Sequence, residues 1–452
     1  MDARDSSHGR CTPGRHGRTH QPIRLGGASR SYHDLRIRHR KRVADTCRAD
    51  RVHRDGPLFV QQFPSDRRQL AVKQRAGLRS GRNSPLHIPW PRDRRPSRDL
   101  REAKVRGGWR NLVVAGLLLV GSSIPGLAGV IQSDEWQAYR QKFLDPSGRI
   151  VDTANNNISH SEGQGYGLLL AYLANNRADF DTIWTFTRTE MLLRDDGLSV
   201  WRWDPAATPH VTDANNATDG DLLIAYAAAL AGRDWRRPDL TAAATAMASS
   251  LSENSIETIA GSVLLKPGNS GFGLNDRKDG PVVNPSYWVF EALPVMAELV
   301  PQGAWTRLAQ DGEKLVSSSM MIGAAGLPPD WVSLRSKPAA ADGFPQEFGY
   351  NAIRIPLYLL RAGNRNRALL EPFQKNMVDA QGRVRLVDIS TGSTRQLLDD
   401  PGYRVIPALV GCVLDRTPLA DDLKTFVPTD YYPSTLHLLA LSYARRRLPE
   451  CL

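Results

Sequence analysis

The chain has 452 residues, 41% of them hydrophobic and 23% charged, with a formal net charge of +12. The basicity is concentrated at one end: residues 1–104 hold 26 Lys and Arg against 10 Asp and Glu, while the remainder holds 33 against 37. This distribution excludes a protein that is basic throughout and leaves nucleic-acid or anionic-lipid binding to the first quarter alone.

Residues 1–104 also carry seven of the ten histidines. They are rich in Arg, Pro, Ser and Asp and show no sustained apolar period. Such a stretch cannot bury enough surface to offset the entropy of ordering. We expect a disordered segment or an upstream extension absent from the natural product, with no nucleic-acid partner. A different pattern follows over 105–129. Arg106 to Arg110 is positive, Leu112 to Gly121 is a ten-residue apolar run, and Pro125-Gly126-Leu127-Ala128 adds a helix break and a small-residue end. This reads as a secretory leader, too short for a comfortable membrane span. It places the natural start near Val105 and the product in the periplasm or outside the cell, off the membrane once the leader is removed. A product made in the long form would keep the segment as an anchor.

Residues 130–452 are one domain's worth of chain, long enough for a large core. Only Cys412 and Cys451 fall in it, so there is no disulfide framework and no cysteine metal site. We expect both to be free, or at most one pair. Apolar residues recur at helical spacing in 134–144, 162–175, 178–193, 219–232, 238–252, 287–300, 303–318, 351–362, 401–414 and 433–446. Polar, Gly- and Pro-rich loops separate them at 204–216, 265–285 and 322–348, and Val384 to Ile389 is the best short strand. The run Leu222 to Ala231 is apolar on every side and should be buried all round. Buried helices alternating with amphipathic ones predict two concentric layers. An all-α, double-layered helical barrel fits, and a large irregular bundle fits almost as well.

Four constellations can carry chemistry. Ser159-His160-Ser161-Glu162-Gly163-Gln164-Gly165-Tyr166-Gly167 puts one carboxylate at a helix mouth. Its three glycines imply a close neighbour, either a ligand or another helix. Ser159 and Glu162 have the spacing of a capping box; the rival reading is a partly desolvated general acid. Asn215-Asn216-Ala217-Thr218-Asp219-Gly220-Asp221 runs into the apolar helix. Residues two apart do not share a helix face, so Asp221 suits a cap and Asp219 a pocket. Calcium would need more oxygen ligands at regular spacing. Trp201, Trp203, Tyr287-Trp288, Trp331 and Tyr431-Tyr432 are either core or sugar-stacking platforms. Glu347-Phe348-Gly349-Tyr350-Asn351-Ala352-Ile353-Arg354-Ile355-Pro356 has Asn351 and Arg354 on one face, and Asn351 can serve as an N-cap. Pro356 is tolerated only where a helix is beginning.

Three of these motifs together resemble glycoside hydrolase family 8: Ser161-Glu162-Gly163-Gln164-Gly165-Tyr166-Gly167; Ala217 to Asp221 with Ile224-Ala225; and Tyr350-Asn351-Ala352 with Arg354. The likeness is strongest to the secreted endoglucanases that accompany bacterial cellulose synthesis and covers roughly 130–445. Ala228 and Ala229 depart from the larger aliphatics usual there. The resemblance implies an (α/α)6 barrel with an open substrate cleft, cutting β-1,4-glucan with inversion. Glu162 would be the general acid and Asp219 would position and distort the sugar. Gln164, Trp201, Trp203, Asp221, Tyr287, Trp331 and Arg354 would bind substrate. Many members have Asp where this chain has Asn351, and an amide cannot serve as a base at neutral pH. The base is then expected in the preceding loop, which offers Asp342, Glu347 and, further back, Asp330. Glu347 is the first choice because it lies nearest, with Asn351 orienting the water. No metal or organic cofactor is implied. The expected partners are a β-1,4-linked polysaccharide and, loosely, a cellulose synthase complex. A chitosanase, lichenase or xylanase stays open within the class, and a weakly catalytic glucan-binding protein outside it.

Overall fold

The structure, a computed structural model, describes residues 129–452. The expected basic extension and, up to residue 128, the leader-like segment lie outside the described residues. Helices alternate between two layers. The outer ones are α1 (Ser133–Phe143), α3 (Arg177–Phe186), α5 (Pro238–Asn254), α7 (Trp305–Ser319), α9 (Arg367–Asn376) and the short α11 (Asp421–Lys424). The inner ones are α2 (Ser161–Leu173), α4 (Thr218–Asp234), α6 (Leu293–Leu299), α8 (Ile355–Arg361), α10 (Pro401–Asp415) and α12 (Tyr431–Arg447). Among the inner helices α2, α4 and α6 touch in order, as do α8, α10 and α12, and α12 returns to α2. The fold is therefore an all-α (α/α)6 barrel. Among the described residues no helix is long and apolar enough to cross a membrane.

Burial follows the expected layering. Every residue of α2 is buried, and so is α4 from Thr218 to Gly232. Outer α7 buries only a stripe, including Leu308, Gly312, Leu315 and Ser319, at helical spacing. The glycines of the first motif answer to a neighbouring helix. A Cβ on Gly165 would lie 2.5 Å from the Leu223 Cβ of α4, and one on Gly220 would lie 2.6 Å from the Glu162 backbone nitrogen. The two backbones meet without side chains between them, and this brings Glu162 beside Asp219.

Among the described residues ten short antiparallel strands decorate the loops: β1 (Ser159–His160), β2 (Arg202–Trp203), β3 (Ile256–Ile259), β4 (Ser262–Leu265), β5 (Val282–Val283), β6 (Val332–Ser333), β7 (Ala339–Ala340), β8 (Glu347–Phe348), β9 (Val384–Asp388) and β10 (Thr394–Leu398). The pairing of β1 with β2 sets Ser159 opposite Trp203 and ties the chain entering α2 to the tryptophan loop.

Several expectations need correction. The helix expected over 287–300 is regular only from Leu293. Before it, Tyr287, Trp288, Val289 and Phe290 are all buried, and Trp288 donates from Nε1 to the Leu308 carbonyl at 3.0 Å. A 3-10 turn, Pro285–Tyr287, stands at the start of this stretch, and Pro294 lies in the first turn of α6, where a helix begins. The expected helix over 178–193 changes at Thr187 to a π-helical turn, Thr187–Met191. Helix α9 is not among the helices expected from the sequence; it runs unbroken with Pro372 inside it.

Cys412 and Cys451 form a disulfide, joining α10 to the C-terminal turn across a sequence separation of 39. Closing a loop of that length restricts the unfolded chain by about 4 kcal/mol on the chain-entropy model. Cys451→Ser is accordingly expected to lower the guanidinium unfolding free energy by about 2–4 kcal/mol. An unchanged midpoint would contradict this.

Candidate functional site

The N-terminal ends of α2, α4 and α8 meet around one buried cation. Arg354 closes the 3-10 turn Ala352–Arg354 that leads into α8, and Pro356 sits in the first turn, where its missing N–H is no loss. The Arg354 guanidinium donates from Nη1 to Glu162 Oε1 and from Nη2 to Asp219 Oδ2, both at 2.7 Å. All three side chains are fully buried. Asp219 Oδ1 accepts the Gly220 N–H at 2.8 Å. Both acids occupy the first turn of a helix, where the macrodipole favours negative charge.

Two carboxylates sharing one guanidinium leave a charge of −1 in a dry site. One proton restores neutrality, and burial pushes the Asp219 carboxyl up to about 7, opposed by Arg354 and reinforced by Glu162. The guanidinium also lies 5.8 Å from the ring centroids of Tyr287 and Tyr358. The Tyr358 hydroxyl pairs with that of Tyr166.

His160 takes the N-cap place at α2. Its Nδ1 accepts the Gly163 N–H at 3.0 Å, and its Nε2 lies 3.5 Å from Asp152 Oδ2. Burial alone would depress its pKa, but Asp152, Glu162 and Asp219 outweigh that and raise it. The capping box expected from Ser159 and Glu162 is not formed; the histidine caps, and Glu162 faces Arg354. His160, Tyr166 and Tyr358 received no role from the sequence. The first two lie inside a motif whose carboxylate drew the attention, and Tyr358 sits in an apolar run that reads as plain core.

Two residues expected to touch substrate, Gln164 and Asp221, are hydrogen-bonded within the protein. Gln164 Oε1 accepts the Ile150 N–H at 2.6 Å, and its Nε2 donates to the Gly148 carbonyl and Thr187 Oγ1. Asp221 accepts from the Ser199 N–H and hydroxyl at 2.8 and 2.6 Å and from Asn216 Nδ2 at 2.9 Å. It ties down the loop before α4 rather than capping the helix, and burial pushes its carboxyl up to about 6. Each lies two residues beyond a site acid, a spacing that turns a helical side chain to another face.

The aromatic candidates are largely enclosed. Trp201 is 7% exposed and donates to Asp213 Oδ2 at 2.9 Å. Trp203 has the His210 ring at 4.2 Å and the Arg149 guanidinium at 5.1 Å from its ring centroid. Trp331 stacks on Phe344 at 4.4 Å and on Phe272 at 5.7 Å. Of this set Tyr287 stands nearest the acid pair, fully buried under Arg354.

The loop carboxylates separate clearly. Asp342 is exposed. Glu347, the first choice from sequence, lies on β8 opposite Asp388. Its Oε2 pairs with Arg395 at 3.1 Å, and Arg395 also holds Asp388. It is a half-buried member of a surface ion network. Asp330 is buried and accepts the Gly349 and Ala352 N–H groups at 2.9 Å each. Asn351 makes no side-chain cap; its Nδ2 points at Asp330 Oδ2, 3.3 Å away.

Four buried polar atoms on the segments around the acid pair have no hydrogen-bond partner among the described residues: Ser161 Oγ, Tyr287 OH, Asn351 Oδ1 and Tyr431 OH. Buried polar atoms are normally paired, so such a cluster suits a ligand rich in hydroxyl groups. Among the described residues no group of three His, Cys, Asp or Glu is placed to hold a metal ion.

Comparison with known proteins gives a consistent result. The family model for glycosyl hydrolases family 8 matches residues 112–446. A probable endoglucanase of Novacetimonas hansenii is 37% identical over 313 residues, covering 68% of this chain and 89% of the relative. Among solved structures, a family 8 endoglucanase of Klebsiella pneumoniae aligns with a TM-score of 0.62 and 35% identity, over 70% of this chain and all of that one. An endo-β-1,4-glucanase of Acetobacter xylinum aligns equally well, again at 0.62 and 35%, over 72% of this chain and 100% of its own.

Proposed function

The chain belongs to the glycosyl hydrolases of family 8, and on that premise we propose that it is an endo-β-1,4-glucanase acting on a cellulose-type glucan by inversion. The observation that carries this reading is the pair of buried carboxyls, Glu162 and Asp219, bridged by Arg354. Glu162 acts as general acid and hands the proton held by the cluster to the departing glycosidic oxygen. Asp219, fixed by the Gly220 N–H and Arg354, positions the sugar at the cleavage point and balances the charge that grows on the anomeric carbon. The attacking water enters from the opposite face, which requires about 6.5–9.5 Å between acid and base. The three relatives above are each called an endoglucanase, and the one from Acetobacter xylinum an endo-β-1,4-glucanase, which supports β-1,4-glucan over other polymers. The leader-like segment over 105–129 supports secretion or a periplasmic location. A role in cellulose synthesis, with loose association to the synthase, is the setting we favour.

The test is hydrolysis by the full-length chain of carboxymethylcellulose, lichenan, xylan and chitosan, followed by viscosity and reducing ends. We expect carboxymethylcellulose to be cut, with viscosity falling well ahead of reducing-end release. Faster cleavage of chitosan or xylan would move the substrate assignment. Binding of cellulose with no cleavage of any polymer would favour a glucan-binding protein.

A further inference from the structure

We infer that Asp330 activates the attacking water through the side-chain amide of Asn351, the two forming a relay where a single carboxylate base would otherwise stand. The inference rests on the glucanase reading above. Asp330 Oδ1 is held by the Gly349 and Ala352 N–H groups at 2.9 Å, while Oδ2 faces Asn351 Nδ2 at 3.3 Å and the Asn351 N–H at 3.4 Å. A carboxylate beside the amide fixes its orientation: the NH2 must face Asp330, so the amide oxygen faces the other way. That oxygen is buried and has no hydrogen-bond partner among the described residues. Asn351 also immediately precedes the single turn that ends in Arg354, the residue that bridges the acid pair. Glu347, by contrast, is engaged by Arg395 on the surface sheet.

The step balances. A water proton passes to Asn351 Oδ1 as an Asn351 Nδ2 proton passes to Asp330 Oδ2. The water oxygen bonds to the anomeric carbon, and the glycosidic C–O bond breaks with its electron pair on the leaving oxygen. That oxygen takes the proton of Glu162. Asn351 is left as its imidic tautomer and Asp330 as the acid; both are restored when the protons retrace the path to solvent. Asp330 touches no reacting atom and acts only through Asn351. Burial pushes its carboxyl up to about 6, with the Glu347 charge adding and the backbone donors opposing, and the Tyr287 hydroxyl lies within reach of its field.

The experiment uses the full-length chain with carboxymethylcellulose and compares Asp330→Asn, Asn351→Ala, Glu347→Gln and the double variant Asp330→Asn with Asn351→Asp. Asp330→Asn and Asn351→Ala should each lower kcat by about a hundredfold or more with little change in KM, and Glu347→Gln by less than about tenfold. Azide, a nucleophile that needs no base, should raise the turnover of Asp330→Asn and leave α-glucosyl azide on the product. The double variant, with a carboxylate placed directly on the water, should recover at least about tenfold over Asp330→Asn, with its acid limb moved. A merely structural role for Asp330 would show neither rescue. Parental kcat in Asp330→Asn, or loss confined to Glu347→Gln, would overturn the relay and leave the glucanase reading standing. A parent that cuts no glucan would overturn both.

Discussion

Glu162→Gln is expected to reduce hydrolysis of carboxymethylcellulose about a thousandfold while substrate binding and melting temperature stay near the parent's. The amide is isosteric and its oxygen can still accept from Arg354 Nη1, so the 2.7 Å contact survives. Charge also favours the variant's fold. The parent cluster has two carboxyls to one guanidinium; the variant has one of each and is neutral without a bound proton. What is lost is the acid itself, because an amide N–H is far too weak to protonate a departing alkoxide. Reducing-end assays beside thermal melts measure both sides of this claim. A variant within about tenfold of the parent would remove Glu162 from the acid role.

Arg354→Met is expected to have the larger effect on the protein as a whole. Removing one member of a buried ion network leaves the others uncompensated and costs about 3–5 kcal/mol. Here it strands Glu162 and Asp219 together in a site that excludes water. Activity should disappear with the pairing. The stability loss should depend on pH in a definite direction. Asp219 titrates near 7 in the folded protein against an ordinary value of 3.8. Its contribution to stability is therefore fully present below the ordinary value and lost as pH rises through about 7. Taking Arg354 away removes the cation whose attraction opposes this rise, so the losing window extends upward. The variant should melt closer to the parent at pH 5 than at pH 8. A deficit that is the same at both values, or larger at pH 5, would mean that the two acids do not depend on Arg354 for their charge.

The sequence made the outline of the site legible because its acids lie at helix starts inside short motifs. Glu162, Asp219 and Arg354 were all candidates before any geometry was known, and their helices were recognisable from apolar period alone. The bridging role of Arg354 was not, since it spans 192 and 135 residues to its two partners. Gln164 and Asp221, expected as substrate contacts, each stand two residues beyond a site acid, and both are hydrogen-bonded to the protein's own loops. Nearness to Asn351 ranks Glu347 first in the sequence, and spacing says nothing of the partners the fold gives it. A strand places it in the sheet with β9 and within reach of Arg395, whereas Asp330, more distant in sequence, folds back under the Gly349–Ala352 turn. The aromatic platforms were the least legible. Trp201 and Trp331 are types equally suited to core and to sugar, and only packing distinguishes the two uses.

The most direct test of the account is the anomeric configuration of the first-formed product, followed by proton NMR during cleavage of a short β-1,4-glucan oligosaccharide by the full-length chain. A general acid at Glu162 and a water delivered from the opposite face predict the α-anomer first, decaying to the equilibrium mixture by mutarotation. The β-anomer appearing first would require a covalent glycosyl-enzyme intermediate and would contradict the roles assigned to Glu162, Asp219 and the water.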